Sequence, residues 1–144
     1  MGEIMSDIDI YGVETNQLDT AWDDISPFIQ SGLDYAQNEL SLNDVYHGIK
    51  KHQIVPIVMS YQGEILSVVT MEISNKPQKR IMCLMTAGGT ELDSWLDEFM
   101  SVAEHLAIEQ GCDAIYINGR RGWERKLKRY GYSQAYTVLM RQLQ

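Results

Sequence analysis

Six basic side chains crowd into the stretch from 120 to 129: Arg120, Arg121, Arg125, Lys126, Lys128 and Arg129, with Glu124 the one acid among them. Guanidinium and ammonium groups at that density can hold an anion, whether a phosphate, a nucleic acid or the acidic surface of another protein. The rest of the chain is acidic. Its first 119 residues hold five basic against 19 acidic side chains, a formal −14, and the last 25 hold seven against one, +6, for a net −8. Such asymmetry points to a partner surface or an anion site near the C-terminus; the alternative is a solvated helix face that complements the acidic body. Arg120, Arg121 and Arg125 gather beside the Asn118-Gly119 turn and are the candidate partner-binding residues. Nucleic acid is not the expected partner. The chain as a whole is anionic, and Trp123, which could stack on a base, falls at an apolar position that reads as core.

Other chemistries find little support. The two cysteines, Cys83 and Cys112, lie inside apolar runs, which suits reduced, buried thiols better than a disulfide framework. His47, His52 and His105 show no pairing with cysteine at zinc-ligand spacing, so no metal site is expected. Met1 to Ile10 lacks the basic start and apolar run of a signal peptide. No apolar stretch approaches the roughly 20 residues of a membrane helix. The expectation is a soluble protein, and its 144 residues fit one domain, 1–144.

The elements that must position these residues are legible from periodicity. Ile8 to Val13 reads as a strand. Leu18, Trp22, Ile25, Phe28 and Ile29 recur at helical spacing, with Pro27 as a break or kink. Ser41 offers an N-cap for a short second helix carrying Val45 and Ile49. Gln53–Tyr61 and Glu64–Ile73 flank Gln62-Gly63 as a β-hairpin. Lys76–Lys79 is a loop and Arg80–Ala87 a further strand, broken by Gly88-Gly89. Thr90 and Asp93 resemble a capping box. Leu92, Trp95, Leu96, Phe99, Val102, Ala103 and Leu106 then line one face of a long amphipathic helix, ended by Gly111. Cys112–Asn118 is a buried-type strand, so strand, helix and strand form a βαβ crossover with parallel strands. A basic helix carries Trp123 and Leu127 inward, Gly131 ends it, and Tyr132–Leu143 reads as a final strand. The expected architecture is α/β, a mixed twisted sheet of about six or seven strands in the order β-α-α-β-β-β-α-β-α-β. The expected core holds Trp22, Phe28, Val58, Val68, Leu84, Trp95, Phe99, Leu106, Ile115, Trp123 and Leu139.

That order resembles the GCN5-related (GNAT) acyltransferase fold over nearly the whole chain. The sharpest sequence likeness is Gly119-Arg120-Arg121-Gly122-Trp123-Glu124-Arg125-Lys126-Leu127 followed by Tyr130-Gly131-Tyr132, which is similar to the ending of small GNAT-like proteins of tailed bacteriophages and prophages. The resemblance implies a splayed parallel pair flanking the long helix and acetyl-CoA or another acyl-CoA as cofactor. It puts the cofactor's pyrophosphate at the loop that opens that helix, where N–H groups are unpaired and the dipole is positive. The matching positions are Gly88, Gly89 and Thr90. The same likeness implies a location in the cytoplasm of a bacterial host or within a virion.

Two departures from the family pattern shape the functional expectation. The loop Thr86-Ala87-Gly88-Gly89-Thr90-Glu91 begins with neither Arg nor Gln, and Glu91 stands where a small residue is wanted. Asp93, Asp97 and Glu98 add negative charge that stabilises the helix start but repels a pyrophosphate. Acyl transfer to an amine also needs a base and an acid. Leu127 occupies the position where many GNAT enzymes place a tyrosine acid, leaving Tyr130 as the nearby phenol and Glu72, Glu64 or a water as the base. The preferred reading is an interaction or virion-associated protein, with a protein partner or self-association, and no cofactor. The alternative is an acyl-CoA-dependent N-acyltransferase acting on a host protein or small amine.

Overall fold

The computed structural model describes residues 8–34, 39–118 and 121–143, the Arg121 side chain excepted. Among these residues five strands form a mixed sheet in the order β1-β2-β3-β4-β5, matching the α/β expectation. β1 (Asp9–Gly12) pairs antiparallel with β2 (Ile54–Tyr61), β2 with β3 (Glu64–Asn75), and β3 with β4 (Arg80–Gly89). β5 (Ala114–Ile117) joins β4 in parallel, as the crossover requires. The hairpin turn works because Gln62 and Gly63 both take positive φ, 51° and 82°, whose twist matches that of the flanking strands.

Helices cover both faces. α1 (Leu18–Leu33) and α2 (Leu42–Lys50) bury Leu18, Ile25, Ile29, Val45 and Ile49 against Ile54, Val58 and Val68. α3 (Leu92–Glu109) sets Trp95, Leu96, Phe99, Met100 and Ala103 against Met59, Val69, Met71, Met82 and Leu84 on the other face, with Leu127 of α4 (Arg121–Leu127) in the same cluster. α1 runs unbroken through Pro27. Its buried neighbours Ile25 and Ile29 hold the helix on the sheet, so tertiary packing outweighs the lost backbone bond. Ser41 caps α2 as expected, in a reciprocal box with Asp44. Tyr46 donates to Asp19 at 2.5 Å and Lys50 pairs with it at 3.0 Å, tying α2 to α1.

Glycine closes α3 and the 3-10 turn Lys128–Tyr130 that follows α4 in the same way. Gly111 (φ 71°) and Gly131 (φ 88°) are left-handed. Their N–H groups reach Ile108 and Lys128, while Cys112 and Tyr132 reach back to Ala107 and Leu127, the Schellman arrangement.

Several expectations need correction. β4 continues through Gly88 and Gly89, which pair with Val68 and Ser67. The Thr90–Asp93 capping box does not form: Glu91 is the N-cap, left-handed at φ 59°, with no side-chain cap. Of the expected core, Val58, Val68, Leu84, Trp95 and Phe99 are buried. Trp22, Phe28, Leu106, Ile115 and Trp123 are half-buried at the margins. Val102, read onto the inner face of α3, is exposed. Leu139 is 90% exposed, and Tyr132–Leu143 forms no strand, so the described residues give a sheet of five strands rather than six or seven. The reason is spatial. Tyr132 packs on the α3 side, whereas Tyr136 sits 6.2 Å from Tyr116, which alternates with Ile115 and Ile117 to face the opposite side. The segment rolls around the β5 edge instead of lying in the sheet plane.

Candidate functional site

The parallel pairing of β4 and β5 ends before β4 does. β4 and β5 are paired only from Ile81↔Ala114 to Leu84↔Ile117, and the Asn118 N–H reaches the Leu84 carbonyl at 3.5 Å. β4 runs on from Met85 to Gly89 without β5 beside it. The C-terminal ends of parallel strands form the mouth at which open α/β sheets bind ligands. α3 begins three residues past β4, so its first N–H groups, which lack partners within the helix, stand at this mouth.

Gly88 and Gly89 have structural causes. A Cβ on Gly88 would lie 1.9 Å from the Phe28 carbonyl oxygen, because α1 packs on the bare backbone of β4. Gly32 on α1 completes that contact, its own Cβ position lying 2.9 Å from Thr86 Cβ. Gly89 takes φ 130°, and a Cβ there would meet the Leu66 carbonyl at 2.3 Å. Thr90 donates its N–H to Leu66 at 2.9 Å and accepts the Trp95 indole N–H at 2.9 Å. The buried hydroxyls nearby are satisfied: Ser67 donates to the Gly88 carbonyl, and Thr70 pairs with Thr86, each at 2.6 Å.

The acids of α3 and the bases after Gly122 meet one another. Lys126 approaches Asp93 to 3.3 Å and Arg129 approaches Asp97 to 3.3 Å. The Tyr130 hydroxyl donates to Asp97 and accepts from Arg129 at 2.7 Å. Burial, and then the bond to Asp97, push the Tyr130 phenol above its ordinary range. These pairs are exposed, so each adds little alone, but together they tie the stretch from Lys126 to Tyr130 to α3. Arg125 is exposed on α4. Arg120 and the Arg121 side chain lie outside the described residues.

Glu72 and Tyr130 are not brought together. Met71 and Ile73 face α3, so Glu72 faces the other way, beside its cross-strand neighbour Cys83. Tyr130 lies on the α3 side, bonded to a helix. Sequence reasoning did not foresee the Cys83–Asn118 contact, in which the Asn118 amide donates to the thiol at 3.4 Å beside the point where the strands part. Only the β4–β5 register, which pairs Cys83 with Tyr116, brings these two residues together. Burial first, and the negative Glu72 second, push the Cys83 thiol up, so it is held protonated rather than as a nucleophile. Among the described residues no cluster of His, Cys, Asp and Glu has the makings of a metal site.

No family model and no curated protein matches the sequence. Solved structures do match. An aminoglycoside acetyltransferase from an uncultured soil metagenomic sample, in complex with sisomicin, has a TM-score of 0.70 at 9% identity, over 99% of this chain and 100% of that one. A GCN5-related N-acetyltransferase from Ralstonia eutropha has a TM-score of 0.67 at 11% identity, over 93% and 97%. A predicted acetyltransferase with acetyl-CoA from Clostridium acetobutylicum has 0.69 at 8%, over 94% and 96%. The fold is therefore that of the GNAT acetyltransferases.

Proposed function

We propose that this chain uses the GNAT scaffold as an interaction protein rather than as an efficient acyltransferase. One observation carries the reading: beyond the C-terminal ends of β4 and β5 the Thr90 N–H is already bonded to Leu66, and the carboxylates Glu91 and Asp93 follow within three residues. A pyrophosphate there would meet carboxylates and an occupied donor, so the residues present do not fit that group. Lys126 is already paired with Asp93, so turning it towards a pyrophosphate would leave that carboxylate bare. The contact surface proposed is the start of the basic stretch, Arg120, Arg121 and Arg125. The phage-like ending around Trp123 favours a protein partner from a phage particle or its bacterial host, met in the host cytoplasm or in the virion.

Calorimetry with acetyl-CoA is the test. The expected result is weak or absent binding by the wild type, strengthened by Glu91→Gly with Asp93→Asn. Tight wild-type binding would sink the reading. Pull-down with an Arg120→Ala, Arg121→Ala, Arg125→Ala variant tests the surface: a folded variant that keeps every partner leaves the cluster as a solvated face.

A second reading, an acyl-CoA-dependent N-acyltransferase acting on a host protein or small amine, is favoured by β4 running on past the end of β5 at Ile117, which leaves its C-terminal end unpaired on that side. It gains further support from the solved neighbour that holds acetyl-CoA. In that reading Gly88, Gly89 and Thr90 line the cofactor path.

A further inference from the structure

Three of the five basic residues among the first 119 sit at one end of the β3–β4 hairpin: Lys76, Lys79 and Arg80. Arg80 is spent on structure. Its Nε donates to the Gln110 carbonyl and its Nη1 to the Asn75 side chain, each at 2.9 Å, and its backbone N–H donates to Asp113 at 2.9 Å. Lys76 and Lys79 have no such task, and neither enters an ion pair among the described residues. Their turn, around Pro77-Gln78, is closed by the Lys76 N–H on the Lys79 carbonyl at 2.8 Å. Both lysines line a cleft of about 490 Å³ with Gln78, Ile81, Tyr116 and Tyr136. The cleft lies on the sheet face turned away from α3, because Met82, Ile115 and Ile117 pack toward α3 and their neighbours Ile81 and Tyr116 alternate with them. On that face α1 sits at the far end of β4, at Thr86 and Gly88. Ile81 is 4% exposed yet, among the described residues, belongs to neither core cluster; it is the floor of this cleft.

We propose that this cleft binds a nucleoside monophosphate, its phosphate on Lys76 and Lys79 and its base on the two tyrosines. Two ammonium groups without carboxylate partners suit a phosphate monoester, which carries close to two negative charges at neutral pH. Tyr116 and Tyr136 stand with ring centroids 6.2 Å apart and planes at 60°, an open corner. A flat base that lies on one of these rings meets the other near edge-on, an arrangement aromatic groups prefer. The Lys79 ammonium is 6.0 Å from the Tyr116 ring centroid, so charge and ring lie within reach of one small ligand. The Gln78 side chain brings both a donor and an acceptor, which match the edge of a base. The volume is that of a small-molecule site. Charge sets the size of the occupant as well. The first 119 residues carry a formal −14, which repels a long polyanion, so one phosphate fits where a nucleic acid does not. Glu72, farther along the same face beside Cys83, confines the anion to the loop end. The same two lysines repel a protonated amine, which sets the cleft apart from an amine acceptor site. It lies at the N-terminal ends of β4 and β5, the opposite end of the strands from Gly88, Gly89 and Thr90. The proposal therefore stands whether or not the chain binds acyl-CoA.

Calorimetry of the full chain with adenosine monophosphate, adenosine and inorganic phosphate is the test. The nucleotide is expected to bind with Kd below about 100 μM, and adenosine and phosphate at least about tenfold more weakly, since each lacks one half of the contacts. Lys76→Gln with Lys79→Gln, and separately Tyr136→Ala, should each weaken the nucleotide at least about tenfold. All three side chains are exposed, so these changes leave the core untouched. No nucleotide binding up to about 1 mM, or unchanged binding by the lysine variant, overturns the proposal. Tighter binding of phosphotyrosine amide than of the nucleotide overturns it too, since the occupant would then be a phosphorylated side chain. Amide shifts of the wild-type chain on adding the nucleotide decide the matter even if a variant misfolds. Perturbations gathered at 76–81, 116 and 136 support the site, and their absence there overturns it.

Discussion

Gly88 of β4 lies directly under Phe28 of α1, so close that a Cβ would stand 1.9 Å from the Phe28 carbonyl oxygen. The obstacle is backbone, which cannot swing aside as a flexible side chain can. Gly32 meets Thr86 in the same seam, so helix and strand are matched by two missing side chains. A Gly-Gly pair that looks like a ligand cradle in sequence is thus accounted for by packing. Gly88→Ala should destabilise the fold by about 1–3 kcal/mol, at the upper end because α1 must move bodily. Urea denaturation checks this. A variant as stable as the wild type would mean that α1 does not seat there.

The Tyr130 phenol should titrate above the ordinary tyrosine range, since burial and then Asp97 both oppose its ionisation. Asp97→Asn removes the second cause and should lower that midpoint without reaching the ordinary value. Absorbance near the tyrosinate band, compared with Tyr130→Phe to isolate the signal, measures it. No change on Asp97→Asn would show that the two groups do not meet in solution.

Asp19 carries a pH prediction. Hydrogen bonds from Tyr46 and then Lys50 hold its carboxyl below the usual carboxylate range. A carboxylate with a depressed folded pKa contributes stability that is fully present above its unfolded value, about 3.9, and is lost as pH falls through the folded one. Asp19→Asn should therefore lower Tm modestly at neutral pH, the group being exposed. The gap between variant and wild type should close progressively in acid. A gap that stays constant down to the lowest pH would rule out the ionic origin.

Phe99 is 1% exposed at the centre of α3 and packs edge-on against Trp95 with ring centroids 5.8 Å apart. Phe99→Ala should cost about 3–5 kcal/mol, through lost burial and the cavity left behind. A loss below about 1 kcal/mol in chemical denaturation would be at odds with this packing.

The sequence by itself determined the elements whose signals are local. Ser41 with Asp44, Gln62-Gly63, Gly111 and Gly131 each act within a few residues, through caps and left-handed turns, and each stands where periodicity and turn chemistry put it. The inward face of α3 from Trp95 to Ala103, and the parallel sense of β4 and β5, follow from helical period and the handedness of the crossover. Tertiary structure alone decided the rest, because those outcomes depend on what lies across space. Thr90 and Asp93 had the pattern of a capping box, but β3 takes the Thr90 N–H and Lys126 takes the Asp93 carboxylate. The acids of α3 and the bases after Gly122 stood as two separate puzzles in the chain, and folding makes them partners, Asp97 with Arg129 among them. Glu72 and Tyr130 could be paired on paper, yet the alternation of β3 and the position of α3 set them on opposite sides of the sheet. Tyr132–Leu143 has the composition of a strand, but a strand exists only when another edge accepts its backbone bonds, and no local signal supplies that edge.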